Sequence, residues 1–455
     1  MRWLFPLVVL ILSAGLAKLS AATLNWWFAR RMSKWTVVAS HTVNVLLMVG
    51  YPLLLACGPG SSELRQALKG HPVVIPCSVW LALSVGAVGL GLLIWSAIEY
   101  QLYAPPACQT ACESHRIDLR RQAGPSWRTT FVGPGPMRRI ALLPGNEQFT
   151  IDVSTKTYSL PRLPVEWDGL SLVQLTDLHF RGAVTRAYFE AVCEQAAALK
   201  PDLFVFTGDL FDDLKLLDWL PDTLGKLTAP RGQYFILGNH DWYLDSAAIR
   251  RELERLGWTD LAGRCVSLNK PDSLCRGLPT ATHSPTAGLP VVSDRKKEEE
   301  ETCGQPFRRG QETRAEQDRE TRAEQTRPAA APVVLCGDEI PWMGTHPDLS
   351  SVSAESFRIL LSHTPDNITW ARQQGIDVML SGHTHGGQIR LPILGPIYSP
   401  SRFGCRYSAG VFWLAPTLLH VSRGLSGREP IRYNCPPELT KLVLRCGFRL
   451  PGRLQ

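Results

Sequence analysis

Apolar positions fall into two regimes along the chain. Before residue 100 they gather in three long runs, and beyond residue 165 they come in short runs separated by polar turns. Val73–Trp95 is uncharged and long enough to cross a bilayer core of about 30 Å as a helix. Thr36–Cys57 is a second run of that kind, with His41 and Asn44 as its markedly polar residues, and Trp3–Leu24 is a third, interrupted by Lys18. Trp3–Leu24 has an alternative reading as a signal peptide with a small-residue cleavage site near Ala21 and Ala22. Buried core helices are the alternative for all three, and the uncharged length of Val73–Trp95 argues against it.

The later runs Leu170–Thr176, Leu203–Thr207, Tyr234–Leu237, Arg358–Leu361 and Ile376–Leu380 predict buried strands. Between strands, Arg186–Lys200 places Tyr188, Phe189, Val192, Ala196 and Leu199 on one helical face and ends before Pro201. Such alternation predicts an α/β domain. The expected organisation is an N-terminal membrane region over residues 1–100 with about three transmembrane helices, a juxtamembrane connector over 101–165, and an α/β domain over 166–450. The connector is rich in Pro, Gly and Arg, with short strands such as Gln148–Val153. Over 271–331 the apolar pattern vanishes and ETRAEQ occurs twice, which predicts a disordered insertion, or a short charged helix over about 310–327.

Charge and cysteine content narrow the function. The formal net charge is +7, and no basic stripe interleaved with aromatics tracks a nucleic-acid backbone, so no nucleic-acid partner is expected. Arg30, Arg31 and Lys34 lie between the first two apolar runs, where the positive-inside tendency favours a cytosolic loop; three spans then leave the C-terminal part cytosolic and two invert it. Twelve cysteines form no paired C-x-x-C motif. Cys108 and Cys112 follow the last long run and read as ordinary thiols or as acylation sites.

Each buried run ends in polar residues of one chemical kind. Asp177 and His179 follow the first, Asp209 and Asp212 the second, Asn239, His240 and Asp241 the third, His363 the fourth, and His383 and His385 the fifth. Ligand sites in open α/β sheets form beyond the carboxyl ends of strands, so these turns are expected to converge. Imidazole nitrogens with carboxylate and amide oxygens suit manganese, iron or zinc. The donors outnumber the needs of one ion and fit two, about 3.5–4 Å apart, which clamp phosphoryl oxygens and generate hydroxide near neutral pH. His383 and His385, two residues apart, share a side and each reaches its own ion, with Gly382, Gly386 and Gly387 letting the backbone bend.

The ordered blocks D-x-H, G-D-x-x-D, G-N-H-D, a single His and G-H-x-H resemble the calcineurin-like metallophosphoesterase family, over roughly residues 170–447 without the insertion. The resemblance implies a pair of packed β-sheets flanked by helices. It implies one metal held by Asp177, His179, Asp209 and His385, and a second held by Asp209, Asn239, His363 and His383, with Asp209 bridging. His240 matches the family's catalytic histidine beside the phosphate, Asp241 is expected to orient it, and Asp212 to support the ligands. One departure stands out: Asp212 is followed by Asp213 and Leu214, not by the Arg-Gly of the protein phosphatase branch, which argues against a phosphoprotein substrate. Arg181 is the nearest substitute. The expected function is a membrane-anchored phosphohydrolase of a phosphomonoester or phosphodiester, with lipid headgroups or lipid-linked phosphates within its reach. The alternatives are a scaffold on a degenerate phosphoesterase fold and a transporter or channel with a regulatory domain.

Overall fold

The computed structural model describes residues 3–268 and 332–447, apart from the side chains of Phe28 and Lys34. The insertion expected over 271–331, with its possible short helix, lies outside the described residues.

Three helices are long and apolar enough to cross a membrane: α1 (Leu4–Phe28), α2 (Lys34–Cys57) and α4 (Cys77–Gln101), with the short α3 (Ser61–Ala67) before the last. The run expected from Val73 starts as a helix only at Cys77, because Pro76 biases the residue before it toward extended backbone. Helices α1 and α4 approach closely through small residues, as spanning helices do when packing replaces the hydrophobic effect. A Cβ on Gly89 would come within 1.9 Å of the Gly15 carbonyl oxygen. Helix α2 is the least covered of the three.

The remainder is built on two sheets. The larger has seven strands in the order β1 (Gln109–Asp118), β2 (Thr150–Leu160), β15 (Glu438–Cys446), β3 (Leu170–Leu175), β4 (Leu203–Thr207), β5 (Gln233–Ile236) and β6 (Trp258–Asp260). The smaller has six, in the order β13 (Gly410–Leu414), β14 (Thr417–Val421), β10 (Val378–Ser381), β9 (Phe357–Ser362), β8 (Val333–Asp338) and β7 (Cys265–Ser267). A two-stranded hairpin, β11 (Arg390–Leu391) and β12 (Gly395–Pro396), stands apart. Residues 101–165, expected as a connector, thus supply two long strands, and β2 pairs in parallel with the whole length of β15.

Strands β3 to β6 are mutually parallel, as are β8, β9, β10 and β14, and the central ones are buried on both faces, so they read as unbroken apolar runs. Alternation survives underneath. Leu172, Leu203 and Val205 pack between the sheets with Ile359, Leu361 and Leu380. Val173, Phe204 and Phe206 face outward onto the Arg186–Ala198 helix through Phe189 and Val192. Gln174 occupies an inter-sheet position and is satisfied there: its amide donates to Thr207 Oγ1 and the Ser381 carbonyl, and its oxygen accepts from His420 Nδ1 at 2.7 Å. This polar bridge fixes one sheet against the other directly beneath the strand ends.

The helices adjoin this framework at definite points. Lys18 of α1 donates to Ser96 Oγ of α4 and to the Ile397 carbonyl, Asn25 accepts from the Ser399 N–H, and Gln101 donates to the Ile393 carbonyl. The turn between α1 and α2 reaches the domain where Tyr243 donates to the Met32 carbonyl. The C-terminal ends of α1 and α4 therefore lie on the domain's side.

Candidate metal centre

Five parallel strands end at one rim. Asp177 and His179 follow β3, Asp209 follows β4, Asn239 to Asp241 follow β5, His363 follows β9, and His383 and His385 follow β10. The chain turns there through left-handed backbone: φ is 56° at Asp177, 49° at His179, 59° at Asp209, 69° at His383 and 50° at His385. Non-glycine residues enter that region at a cost of order 1–3 kcal/mol each and cluster where function over-determines them. The two histidines therefore owe their presentation to their own positive φ beyond the end of β10, and not to strand alternation. Gly382 serves close approach: a Cβ there would lie 2.2 Å from Thr176 Oγ1 and 2.4 Å from Asp177 Oδ2. Gly238 does the same beneath Asp209, whose Oδ1 would lie 2.2 Å from its Cβ.

Ligand-type atoms of Asp177, His179, Asp209 and His385 all lie within 4.8 Å of one another, as do those of Asp209, His363 and His383. Asp209 belongs to both groups. Its Oδ2 is 3.2 Å from His363 Nε2 and 3.6 Å from His179 Nε2, while its Oδ1 accepts from the His240 N–H. Asn239 Oδ1 is 3.1 Å from His363 Nε2. All seven expected ligands are brought together, with His383 and His385 in separate groups.

His240 is arranged otherwise than expected. Its Nδ1 is 2.5 Å from Asp212 Oδ1, whose other oxygen lies 3.2 Å from His179 Nδ1. Asp241, expected in that place, instead accepts from the backbone N–H groups of Leu210, Phe211 and Gly238. Asp212 orients two imidazoles and Asp241 holds the β4 and β5 turns together.

Burial pushes the imidazole of His240 down, but the charge of Asp209 and the hydrogen bond to Asp212 prevail and raise it to about 9. His363 rises to about 9 against burial for the same reason, with Asp209 again the main partner. Burial, reinforced by the nearby His363, drives His383 down to about 3, and His385 is held well below its ordinary range by burial and His179.

The donor set fits divalent cations. His385 Nδ1 faces the Ser426 carbonyl and His179 Nδ1 faces Asp212, so each ring places its proton there and turns a bare Nε2 toward the other, 3.3 Å away. Two lone pairs at that distance repel unless something positive lies beside them. A proton between them would still leave the buried His383 Nε2 without a partner. A metal ion in each group accounts for all these nitrogens and for the facing carboxylates together.

The rim opens into a crevice of about 700 Å³ lined by Asp209, His240, His383 and His385, and also by Arg181, Arg428, Trp342 and residues of the α1–α2 turn. Arg181 faces the crevice and donates to the Arg428 carbonyl. Trp342 packs on His363 and His383, with ring centroids 5.5 and 4.9 Å away. It lies just past β8, whose run V-V-L-C ends in Gly337-Asp338 like the other strand ends, and that signal was available in the sequence. Arg428 and the helical turn carry no comparable signal.

Comparison with known proteins points to one family. Residues 170–387 match the family described as calcineurin-like phosphoesterase. The uncharacterized metallophosphoesterase YkuE of Bacillus subtilis is 29% identical over 310 residues, covering 66% of this chain and 87% of its own length. UDP-2,3-diacylglucosamine pyrophosphatase LpxG of Chlamydia muridarum is 28% identical over 64% of this chain and 87% of its own. A Bos taurus transmembrane protein with metallophosphoesterase domain is 25% identical over 64% of this chain and 57% of its own length.

Proposed function

The chain carries a calcineurin-like phosphoesterase domain, that of a metal-dependent hydrolase of ester bonds, and from that premise we propose a membrane-anchored phosphohydrolase that cleaves a phosphomonoester or phosphodiester with two divalent ions. Asp177, His179, Asp209 and His385 would hold one ion, and Asp209, Asn239, His363 and His383 the other, as manganese, iron or zinc. The observation that carries this reading is the pair of Nε2 atoms 3.3 Å apart beside two carboxylates. When bound, the ions supply Lewis-acid charge to phosphoryl oxygens and make water acidic enough to ionise near neutral pH.

The chain's own groups do the rest. Asp212 fixes His240 through Nδ1 and leaves its Nε2, 4.0 Å from Asp209 Oδ2, toward the crevice. That Nε2–H donates to a phosphoryl oxygen and passes its proton to the leaving oxygen as the old P–O bond breaks and the oxygen of water forms the new one. Trp342 covers His363 and His383 and keeps solvent from the second group. Arg181 and Arg428 lie at the mouth with Glu429 within 4.0 Å of both, so the three together leave cationic charge there, where the protein phosphatase branch would use the arginine missing after Asp212.

The test compares purified full-length protein with Asp209→Asn and His240→Ala on p-nitrophenyl phosphate and bis(p-nitrophenyl) phosphate, with manganese added and then chelated. Losses of about 10²–10⁴-fold in both variants, and in the chelated wild type, are expected. Equal and chelator-insensitive turnover in all three would leave a binding scaffold as the reading.

We also place the spans as a multi-pass anchor with the catalytic domain on the cytosolic side, because Arg30 and Arg31 occupy the turn that adjoins the domain. The opposite side is favoured by the disulfide joining Cys265 to Cys336, since such bonds persist in oxidising compartments. Protease digestion of sealed vesicles decides between them.

A further inference from the structure

The crevice above the cluster has a wall that catalysis on a water-soluble ester does not require. Met32 of the α1–α2 turn and Val37, Val38 and His41 from the start of the apolar helix α2 line the same space as Asp209, His240 and His385. Val37, Val38 and His41 share one helical face, and Val38, Val45 and Val49, at i, i+7 and i+11, continue an apolar stripe along α2 with exposures of 56, 61 and 57%. Among the described residues, that stripe stays exposed. Trp26, Trp27 and Trp35, exposed at the domain-side ends of α1 and α2, are the aromatic belt that marks the headgroup level of a bilayer. The crevice mouth, reached by Arg30 and Met32, therefore lies at that level. On another side of the site the chain runs from Gln388 directly into a hairpin whose Ile389, Leu391 and Ile393 are exposed, and Gln101 at the end of α4 ties that hairpin down through the Ile393 carbonyl. Two apolar surfaces thus flank the phosphate position on the face toward the membrane.

We propose that the substrate is an amphiphile: a phosphate ester on a hydrocarbon anchor that stays in the bilayer, its phosphate at the Asp/His cluster and its chain along the Val38 face of α2. This rests on the phosphohydrolase reading and names the substrate class of the same site. Water adds to phosphorus, the ester P–O bond breaks, and the hydrocarbon-bearing alcohol keeps that oxygen and takes up a proton, so the lipid product remains in the membrane. Val37 and Val38 are positioning residues for the chain; they touch neither phosphorus nor the attacking water.

The experiment uses full-length protein in phosphatidylcholine nanodiscs. Dioleoyl phosphatidate and dioleoyl phosphatidylglycerol serve as long-chain monoester and diester, and p-nitrophenyl phosphate and bis(p-nitrophenyl) phosphate as soluble counterparts. One long-chain ester should be cleaved with kcat/KM at least 100-fold above its soluble counterpart. In Val37→Ser/Val38→Ser the ratio of long-chain to soluble turnover should fall at least tenfold. As a second measurement independent of that variant, alkyl phosphonates should inhibit soluble-ester hydrolysis by the wild type more strongly as the chain grows from methyl to dodecyl. The proposal is overturned if the wild type cleaves soluble esters in a manganese- and Asp209-dependent way while long-chain esters fare no better and chain length leaves inhibition unchanged. Absence of Asp209-dependent hydrolysis in every arm would instead remove the phosphohydrolase reading itself.

Discussion

Asp212 is the residue on which two roles converge, because one of its oxygens meets His240 Nδ1 and the other His179 Nδ1. A carboxylate in that place sets the tautomer of both rings, and an amide would present one donor and one acceptor where two acceptors are needed. Asp212→Asn should therefore lower kcat/KM for a soluble phosphate ester by about 10–100-fold while retaining most of the metal. Paired metal analysis and kinetics check this; metal loss as complete as in Asp209→Asn would show that Asp212 acts only on the ligand shell. Gly238 provides a second residue-scale test. Its absent Cβ leaves room for the Asp209 carboxylate and for the backbone nitrogen of Asp209, which a methyl group would approach to 2.5 Å. Both neighbours are fixed, so Gly238→Ala must displace Asp209. We expect at least a tenfold fall in metal affinity by isothermal titration, and unchanged affinity would mean that the turn yields instead.

At the scale of elements, the start of β10 carries a titratable lock. Asp377 accepts from the Arg358 N–H at 2.9 Å and lies 3.3 Å from Arg162 Nη1, tying β10 to β9 and to the segment after β2. Burial raises its pKa to about 6, against the Arg358 and Arg162 contacts that lower it. The folded state therefore holds this proton more tightly than the unfolded chain. Its contribution is fully present below about pH 4 and is lost as pH rises through about 6, a change of order 2–3 kcal/mol. Asp377→Asn should remove that slope from denaturant midpoints measured between pH 4 and 7, and an unaltered slope would assign the proton elsewhere. The strands around it were legible in the sequence for a physical reason: β3, β4, β9 and β10 are largely buried on both faces and are mostly apolar. Strand β1, QTACESHRID, has one neighbour and is mostly exposed, so it leaves no apolar trace, and the stretch containing it resembles a connector. The chemical identity of the strand ends was legible for the same reason as the strands they follow. The positive φ at five residues of three strand ends, and the exchange of roles between Asp212 and Asp241, depend on how two sheets meet and on backbone N–H groups that no residue pattern reports.

For the molecule as a whole, the question is how the spans and the catalytic domain act as one object, and Lys18 is where they join. A lysine inside a spanning helix costs about 2.5–3.5 kcal/mol at the bilayer centre and persists when it is partnered. Here its ammonium donates to Ser96 Oγ at 3.0 Å and to the Ile397 carbonyl at 3.3 Å, with Cys405 Sγ at 3.7 Å, so one side chain of α1 holds α4 and the loop after β12. That loop continues into Tyr398 and Pro400, which line the crevice. Lys18→Met keeps the length of the side chain and removes its charge and donors. Membrane insertion should be no worse, because the costly charge is gone, while the loop loses a tether worth about 1–2 kcal/mol. Limited proteolysis in nanodiscs should then cut between Ile389 and Arg406 about 5–30-fold faster than in the wild type. KM for a soluble phosphate ester should rise, with kcat little changed, because Lys18 holds the loop that leads into the crevice wall and touches none of the Asp/His cluster. Unchanged proteolysis with unchanged KM would show that the loop is held by the domain alone and that the helices are an anchor and nothing more. A fall in kcat without a change in KM would place the effect of Lys18 on the cluster, against the geometry.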